Sequence, residues 1–259
     1  LLRQTSPETS FDQRFESAFE KLDDNRSSIR DRLSRLVQVL KQNHDLIERY
    51  QPPMIRNCSG YQLRGVLRDQ HLHLPRLLVG SEGTLGLFTS AVLHTSPLPE
   101  HRGVVLLLFG DMNSALEAVS ITCKLQPSAC DLLDRRLLGL GREAASFFEK
   151  TIPETAEAAL IIEHTGNSRQ EINDRMAQLI SAIQDKSIKV LKAAEAYEPE
   201  DIDFLWTLPG RVVPRLTQLQ GKERPLPFVE DIAVPPEMLP EFFHRAQRVL
   251  QKYEVTTSV

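Results

Sequence analysis

The chain has 259 residues, 41% of them apolar and 25% charged, with 31 Lys and Arg against 35 Asp and Glu. That length suits one large or two ordinary domains, and the balance excludes the disordered, collagen-like and disulfide-scaffold classes. A formal charge of −4 with no basic face argues against nucleic acid as the main partner.

Run lengths and cysteines narrow the setting. The longest unbroken apolar stretch, Val104–Phe109, is far short of the roughly 20 residues of a spanning helix, so no membrane span is expected. Leu1–Thr5 has neither the basic start nor the apolar core of a signal peptide. Cys58, Cys123 and Cys130 lack CxxC spacing and read as buried or free thiols in a reducing cytosol. The expected location is cytoplasmic, with membrane association only through a larger parent protein.

In chain order, residues 9–50 read as helical. Phe11, Phe15, Phe19 and Leu22 recur at helical spacing, and Ile29, Leu33, Leu36, Val37 and Leu40 continue the stripe until Pro52-Pro53 ends it. Asn57-Cys-Ser-Gly60 is a turn, and a helix-poor stretch follows to about residue 97. From Glu100 onward strands and helices alternate. Val104–Phe109 and Ala158–His164 read as strands, and Phe228–Val234 as a third. Asp111 caps a helix with Met112, Ala115, Leu116, Val119 and Cys123 on one face. Ser168-Arg-Gln-Glu171 is a capping box opening a helix with Ile172, Met176, Leu179, Ile180 and Ile183 inward. Pro235-Pro236 opens another with Leu239, Phe242, Phe243, Ala246, Leu250 and Tyr253 along one side. The Pro-rich segment Leu208–Pro227 reads as loop or broken helix. Strand–helix units of this kind imply an α+β domain whose antiparallel sheet carries its helices on one face.

The sharpest local feature is Val79-Gly-Ser-Glu-Gly-Thr-Leu-Gly-Leu-Phe-Thr89. Glycines at i, i+3 and i+6 let the backbone turn sharply and approach a ligand closely. The spacing is not that of the dinucleotide fingerprint, and the following Leu87–Leu93 is strand-like rather than helical. Phosphate capture at a helix N-terminus is thus not the mechanism. On pattern alone, a plain tight turn between strands competes with a ligand loop.

Three motifs together carry a resemblance. Gly80–Thr89 resembles the GSEGTLG(I/V)(I/F)T signature of FAD-linked oxidases of the vanillyl-alcohol-oxidase type. Asn57-Cys-Ser-Gly-Tyr61-Gln-Leu63 is similar to the N-x-(T/S)-G-Y-x-L that precedes it in the glycolate oxidase and D-lactate dehydrogenase branch. Phe228-Val-Glu-Asp-Ile-Ala-Val-Pro235 resembles that branch's (F)xEDxxVP. The order and separations agree over residues 30–259, and the last motif looks closest to long proteins in which the flavin module is fused to iron–sulfur segments.

The resemblance implies an FAD-dependent oxidoreductase of D-2-hydroxy acids, passing hydride to flavin N5. Residues 1–97 would be the C-terminal part of the FAD-binding domain, with a helical insert at 9–50. Residues 98–259 would be most of the C-terminal cap or substrate domain, a ferredoxin-like antiparallel sheet. Glu82, Gly83, Thr84, Leu85, Gly86, Leu87 and Phe88 would contact the flavin through backbone amides and the Thr84 hydroxyl. The pyrophosphate loop and the histidine-rich metal motif have no counterpart here, so the resemblance implies an internal fragment, inactive and flavin-free alone. Iron–sulfur clusters would lie outside this chain. Relatives carry a WxxR pattern whose Arg holds the substrate carboxylate; here Trp206-Thr-Leu-Pro209 has Pro at that place, and Arg211, then Arg215, are the substitutes. A Lys found before the acidic pair in some relatives is Val229.

Other candidates are weaker. His71 and His73 suit a strand-borne metal pair but lack a third ligand, so no metal site is expected. Glu230 and Asp231 are adjacent, so in a strand they point to opposite faces and cannot form an acid–base dyad. Arg211, Arg215, Lys222 and Arg224 form either a solvated charge cluster or an anion-reading patch. The competing reading of the whole chain is a non-catalytic ferredoxin-like interaction or regulatory module, which has no use for the Gly80–Thr89 motif.

Overall fold

The computed structural model describes residues 27–51, 60–69, 71–218, 234–255 and 257; for Ser27, Ser28 and residues 211–218 the description is confined to the backbone. The early helical stretch with Phe11, Phe15 and Phe19, the Asn57–Ser59 turn, the Pro52-Pro53 stop, the expected strand through Phe228–Ala233 and the Glu230-Asp231 pair lie outside the described residues. The chain divides into two compact units, Leu1–Leu93 and His94–Val259. Among the described residues, no helix is long and apolar enough to cross a membrane.

In the first unit, α1 (Ser27–Gln42) and α2 (His44–Tyr50) are two helices where the periodicity predicts one. The break falls at Asn43, whose side-chain amide donates to the Val39 carbonyl at 2.9 Å, an interaction that competes with the helical ladder. Gln51 is extended at φ −74, ψ 120, as a residue preceding proline must be. Beyond it come a short hairpin of β1 (Leu67–Arg68) and β2 (His71–Leu72) and the helix α3 (Leu74–Leu78). Leu40 of the predicted stripe, Val66 and Leu77 are buried in one small cluster with Leu36 packed against it, and Val37 is buried as well.

In the second unit, β3 (His101–Phe109), β4 (Ala129–Asp134), β5 (Ala158–Gly166) and β6 (Val190–Ala196) form one sheet in the order β4-β5-β3-β6. Every neighbouring pair is antiparallel, with Phe109 opposite Ala158 and His101 opposite Gly166. The split βαβ arrangement is the ferredoxin-like one. Helix α4 (Met112–Lys124) crosses from β3 to β4, and α7 (Arg169–Asp185) from β5 to β6. Asp111 caps α4 by accepting from the Ser114 amide at 2.8 Å, and Ser168 caps α7 by accepting from the Glu171 amide at 3.1 Å.

The named helices sit on one face, as expected. Val105, Leu107, Phe109, Leu160 and Ile162 pack there against Ala115, Ala118 and Val119 of α4 and Ile172, Met176, Leu179 and Ile183 of α7. Leu239, at the start of α9 (Leu239–Lys252), joins them. The opposite face is also covered, and the expected one-sided arrangement is extended in this respect. Val104, Leu106, Leu108 and Ile161 meet Leu138 of α5 (Arg135–Ala144), Phe148 of α6 (Ser146–Thr151) and Ile202, Leu205 and Leu208 of α8 (Pro199–Gln218). Burial on both faces is why β3 reads as an unbroken apolar run.

Helix α8 corrects another expectation. It continues through Pro209 and Pro214 to Gln218, where sequence reading predicts loop or broken helix from Leu208 onward. Each proline removes one hydrogen-bond donor from the ladder. The buried side chains of Ile202, Leu205 and Leu208 supply the tertiary packing that outweighs this propensity cost.

Candidate functional site

The Gly80–Thr89 loop is built from the end of α3. Leu77 anchors that helix in the small core, and the chain leaves it with the Ser81 amide donating to Leu78 O at 3.1 Å. Gly80 and Gly83 adopt φ of +78 and +76, with Glu82 between them at +49; glycine holds the left-handed region without strain. The turn is closed by Thr84, whose amide donates to Ser81 O at 2.9 Å and whose hydroxyl donates to the same oxygen at 2.6 Å. Tyr61 Oη lies 2.8 Å from Thr84 Oγ1. Because the single Thr84 proton goes to Ser81, Tyr61 is the donor in that pair. Thr84 therefore shapes the loop, and the donors left for a ligand are backbone amides.

What the loop presents is bare backbone and apolar surface. No atom lies within 4 Å of a Cβ built at Gly80, Gly83 or Gly86. Ser81 is buried, with no partner among the described residues for its hydroxyl. Leu85, Leu87 and Phe88 are exposed, Leu87 by 91%. The stretch after Gly86 does not form the expected strand; its backbone is irregular to residue 100, and the turn follows a helix rather than a strand. An open glycine face beside exposed apolar side chains fits a flat, largely apolar ring system such as a flavin, so the loop passes that test of form.

Arg211 and Arg215 lie in the second unit, on successive turns of the α8 backbone; their side chains are outside the described set. Closer to the helix start, the structure brings together a polar group that sequence reading missed. Glu163 of β5 is nearly buried and accepts from Arg102 Nε at 3.1 Å and Nη2 at 3.0 Å. The same carboxylate accepts from Trp206 Nε1 of α8 at 2.7 Å, and Asp203 Oδ1 lies 3.4 Å from Arg102 Nη1. The signal was a lone carboxylate inside the apolar run Ala158–His164, which requires partners when buried.

The next residue, His164, faces the other side of the sheet, is 1% exposed and has no partner among the described residues for either ring nitrogen. Burial, then the charge of Arg175, pushes its pKa down. The two described cysteines read as inert: burial pushes the Cys123 thiol up, and it pushes Cys130 up to about 12. His71 is exposed, with Nδ1 2.7 Å from Asp69 O. Among the described residues, no cluster of three or more potential metal ligands occurs.

Comparison with known proteins places this geometry. Residues 98–259 match the family described as FAD linked oxidases, C-terminal domain. The chain is 29% identical over 225 residues to a D-2-hydroxyglutarate dehydrogenase of Pantoea ananatis, covering 82% of this chain and 22% of that protein. It is 28% identical over 222 residues to the glycolate oxidase subunit GlcD of Bacillus subtilis, covering 85% and 43% respectively. With a D-lactate dehydrogenase of Archaeoglobus fulgidus it shares 26% identity over 202 residues, covering 78% and 40%. The chain thus spans under half the length of each of these relatives. The resemblance drawn from the three motifs holds at the level of family and branch, and with more than half of its residues matched the chain belongs to the FAD-linked oxidases.

Proposed function

We propose that residues 1–97 are the closing part of an FAD-binding domain, that residues 98–259 are most of the substrate-side domain, and that the longer protein oxidises a D-2-hydroxy acid. The observation that carries this reading is the open-faced Gly80–Phe88 loop in a chain whose remainder matches the FAD-linked oxidase C-terminal domain. The names of the relatives, which include D-2-hydroxyglutarate and D-lactate dehydrogenases, support the substrate class.

FAD, when bound, accepts the hydride at N5. This chain's part is positioning. The amides of Gly83, Leu85 and Gly86 would lie against the flavin, Leu85, Leu87 and Phe88 would keep water from its ring, and Ser81, Thr84 and Tyr61 hold the turn in shape. Glu82 at the mouth of the turn completes the contact set. Arg211, with Arg215 second, holds the substrate carboxylate, since a planar guanidinium binds it bidentately. The test is anaerobic mixing of the flavin-loaded full-length protein with glycolate, D-lactate, D-2-hydroxyglutarate and the L enantiomers. Flavin bleaching by a D acid is the expected result; no bleaching by any 2-hydroxy acid overturns the reading.

A further inference from the structure

Within the first unit, α1, α2, the β1–β2 hairpin and α3 enclose a groove of about 630 Å³. Among the described residues, Lys41, Arg64, Arg68 and Arg76 line it, together with the carboxylate of Glu48. Concavities lined by one sign of charge focus the potential and raise the local concentration of the opposite ion.

Two of these guanidiniums are fixed by the backbone. Arg64 donates from Nη2 to the Glu48 carbonyl at 2.5 Å, and its Nε lies 3.0 Å from the Glu48 carboxylate. Arg76 donates from Nε to the Arg64 carbonyl at 2.6 Å. Gly65 makes that approach possible: at φ +72 it turns the chain, and a Cβ there would stand 3.4 Å from Arg76 Nε. A guanidinium has five N–H donors, and among the described residues Arg76 is held through Nε, which leaves its two terminal nitrogens to face a ligand. Forks held in advance lose little entropy on binding and favour oxyanions with paired oxygens. Arg68, with its side chain 76% exposed and 3.5 Å from Asp69, adds a mobile charge at the rim.

We propose that this groove is a binding site for a small multivalent oxyanion, a phosphate ester or a polycarboxylate. Its size fits a small molecule. Among the described residues no Phe, Tyr or Trp lines it, so it lacks the extended stacking platform that a single-stranded nucleic acid needs. The site is a property of the first unit and extends beyond the hydroxy-acid chemistry proposed above.

The experiment is calorimetric titration of the full chain with inorganic pyrophosphate and, separately, citrate, at constant ionic strength with chloride as the screening control. Saturable binding of at least one probe is expected, weakened about tenfold by Arg76→Gln and severalfold by Arg68→Gln, since charge-assisted contacts are the strong ones. Arg135→Gln, in the other unit, leaves the affinity unchanged. The tighter probe tells a phosphate source from a polycarboxylate one. Should Arg76→Gln alter the circular dichroism spectrum, Arg68→Gln decides alone, because its side chain is exposed. Absence of saturation with both probes, an affinity unmoved by Arg68→Gln, or heats that follow ionic strength alone overturn the site.

Discussion

Trp206 donates its indole N–H to Glu163 at 2.7 Å, tying α8 to the middle of the sheet through a carboxylate that Arg102 already grips with two nitrogens. A hydrogen bond to a charged group contributes about 1.5–3 kcal/mol, and a buried acceptor left unmatched costs more than one removed with its partners. Trp206→Phe should therefore destabilise the second unit by about 2 kcal/mol, and Glu163→Ala, which strands both donors, by about 3 kcal/mol. Urea titrations of the single variants and the double variant measure this. Additive losses would show that the two side chains do not work as a pair.

His164 makes stability depend on pH. Its folded pKa lies below the ordinary histidine value because burial disfavours the imidazolium, aided by Arg175, itself paired with Glu171 at 2.8 Å. The unfolded chain takes up a proton near pH 6.5 while the folded one does not. Stability is thus full above that pH and is lost as pH falls through it, by about 1.4 kcal/mol per pH unit until the folded value is reached. Melting temperatures of the parent and His164→Leu between pH 7.5 and 5 should diverge in slope, the variant being the flatter. Parallel slopes would place the proton uptake elsewhere.

Two glycines of α5 should respond oppositely to alanine. A Cβ at Gly141 would stand 2.3 Å from Leu208 Cδ1, a fully buried side chain of α8, whereas nothing lies within 4 Å of one at Gly139. Gly141→Ala should cost about 1–3 kcal/mol through overpacking. Gly139→Ala should stabilise by about 0.5–1 kcal/mol through reduced backbone entropy of the unfolded chain. Thermal unfolding of the pair reads both signs at once.

Flavin contact is best tested at Gly86 rather than Gly83. Valine at Gly83, with φ +76, would strain the turn whatever its surroundings, but Gly86 lies outside the left-handed region and has open space around it. Gly86→Val in the full-length protein should leave folding intact and sharply lower flavin content, measured after denaturation. Full retention would reduce the loop to a turn.

For the carboxylate, Arg211→Met in the full-length protein should raise KM for a D-2-hydroxy acid far more than it alters stability. Loss of a bidentate, charge-assisted contact of about 2–3 kcal/mol corresponds to roughly 30- to 150-fold in kcat/KM. A change within about twofold would leave Arg211 as surface charge.

How far the sequence alone carries can be judged residue by residue. The apolar run Val104–Phe109, the Asp111 and Ser168 caps and the α7 stripe announce their elements because capping and periodicity are local signals. Strands β4 and β6 were missed because, as edge strands of the sheet, they mix exposed and half-buried residues without a clean alternation. Helices α5 and α6 were missed for lack of a long apolar stripe, and the reach of α8 because packing overrode its prolines. The glycine loop was legible as a motif. The Glu163 cluster was not, because its members Arg102, Glu163 and Trp206 meet only through the fold.

The strand order β4-β5-β3-β6 has a consequence for how the chain is made. β3, apolar over six consecutive residues, is the first strand of its sheet to be synthesised and becomes one of its two inner members. Neither of its neighbours follows directly: β5 emerges only after α4, β4, α5 and α6, and β6 after α7 as well. At a translation rate of about 5–20 residues per second, the most aggregation-prone segment of the unit waits for seconds without its ladder partners. Helix α4, contiguous with β3 and packed on one face of it, is the first element of this unit to follow and can shelter that face early. The order in which this sheet is completed therefore makes α4 the natural guardian of the nascent chain, and makes the interval before β5 the point at which synthesis is most exposed to misassembly.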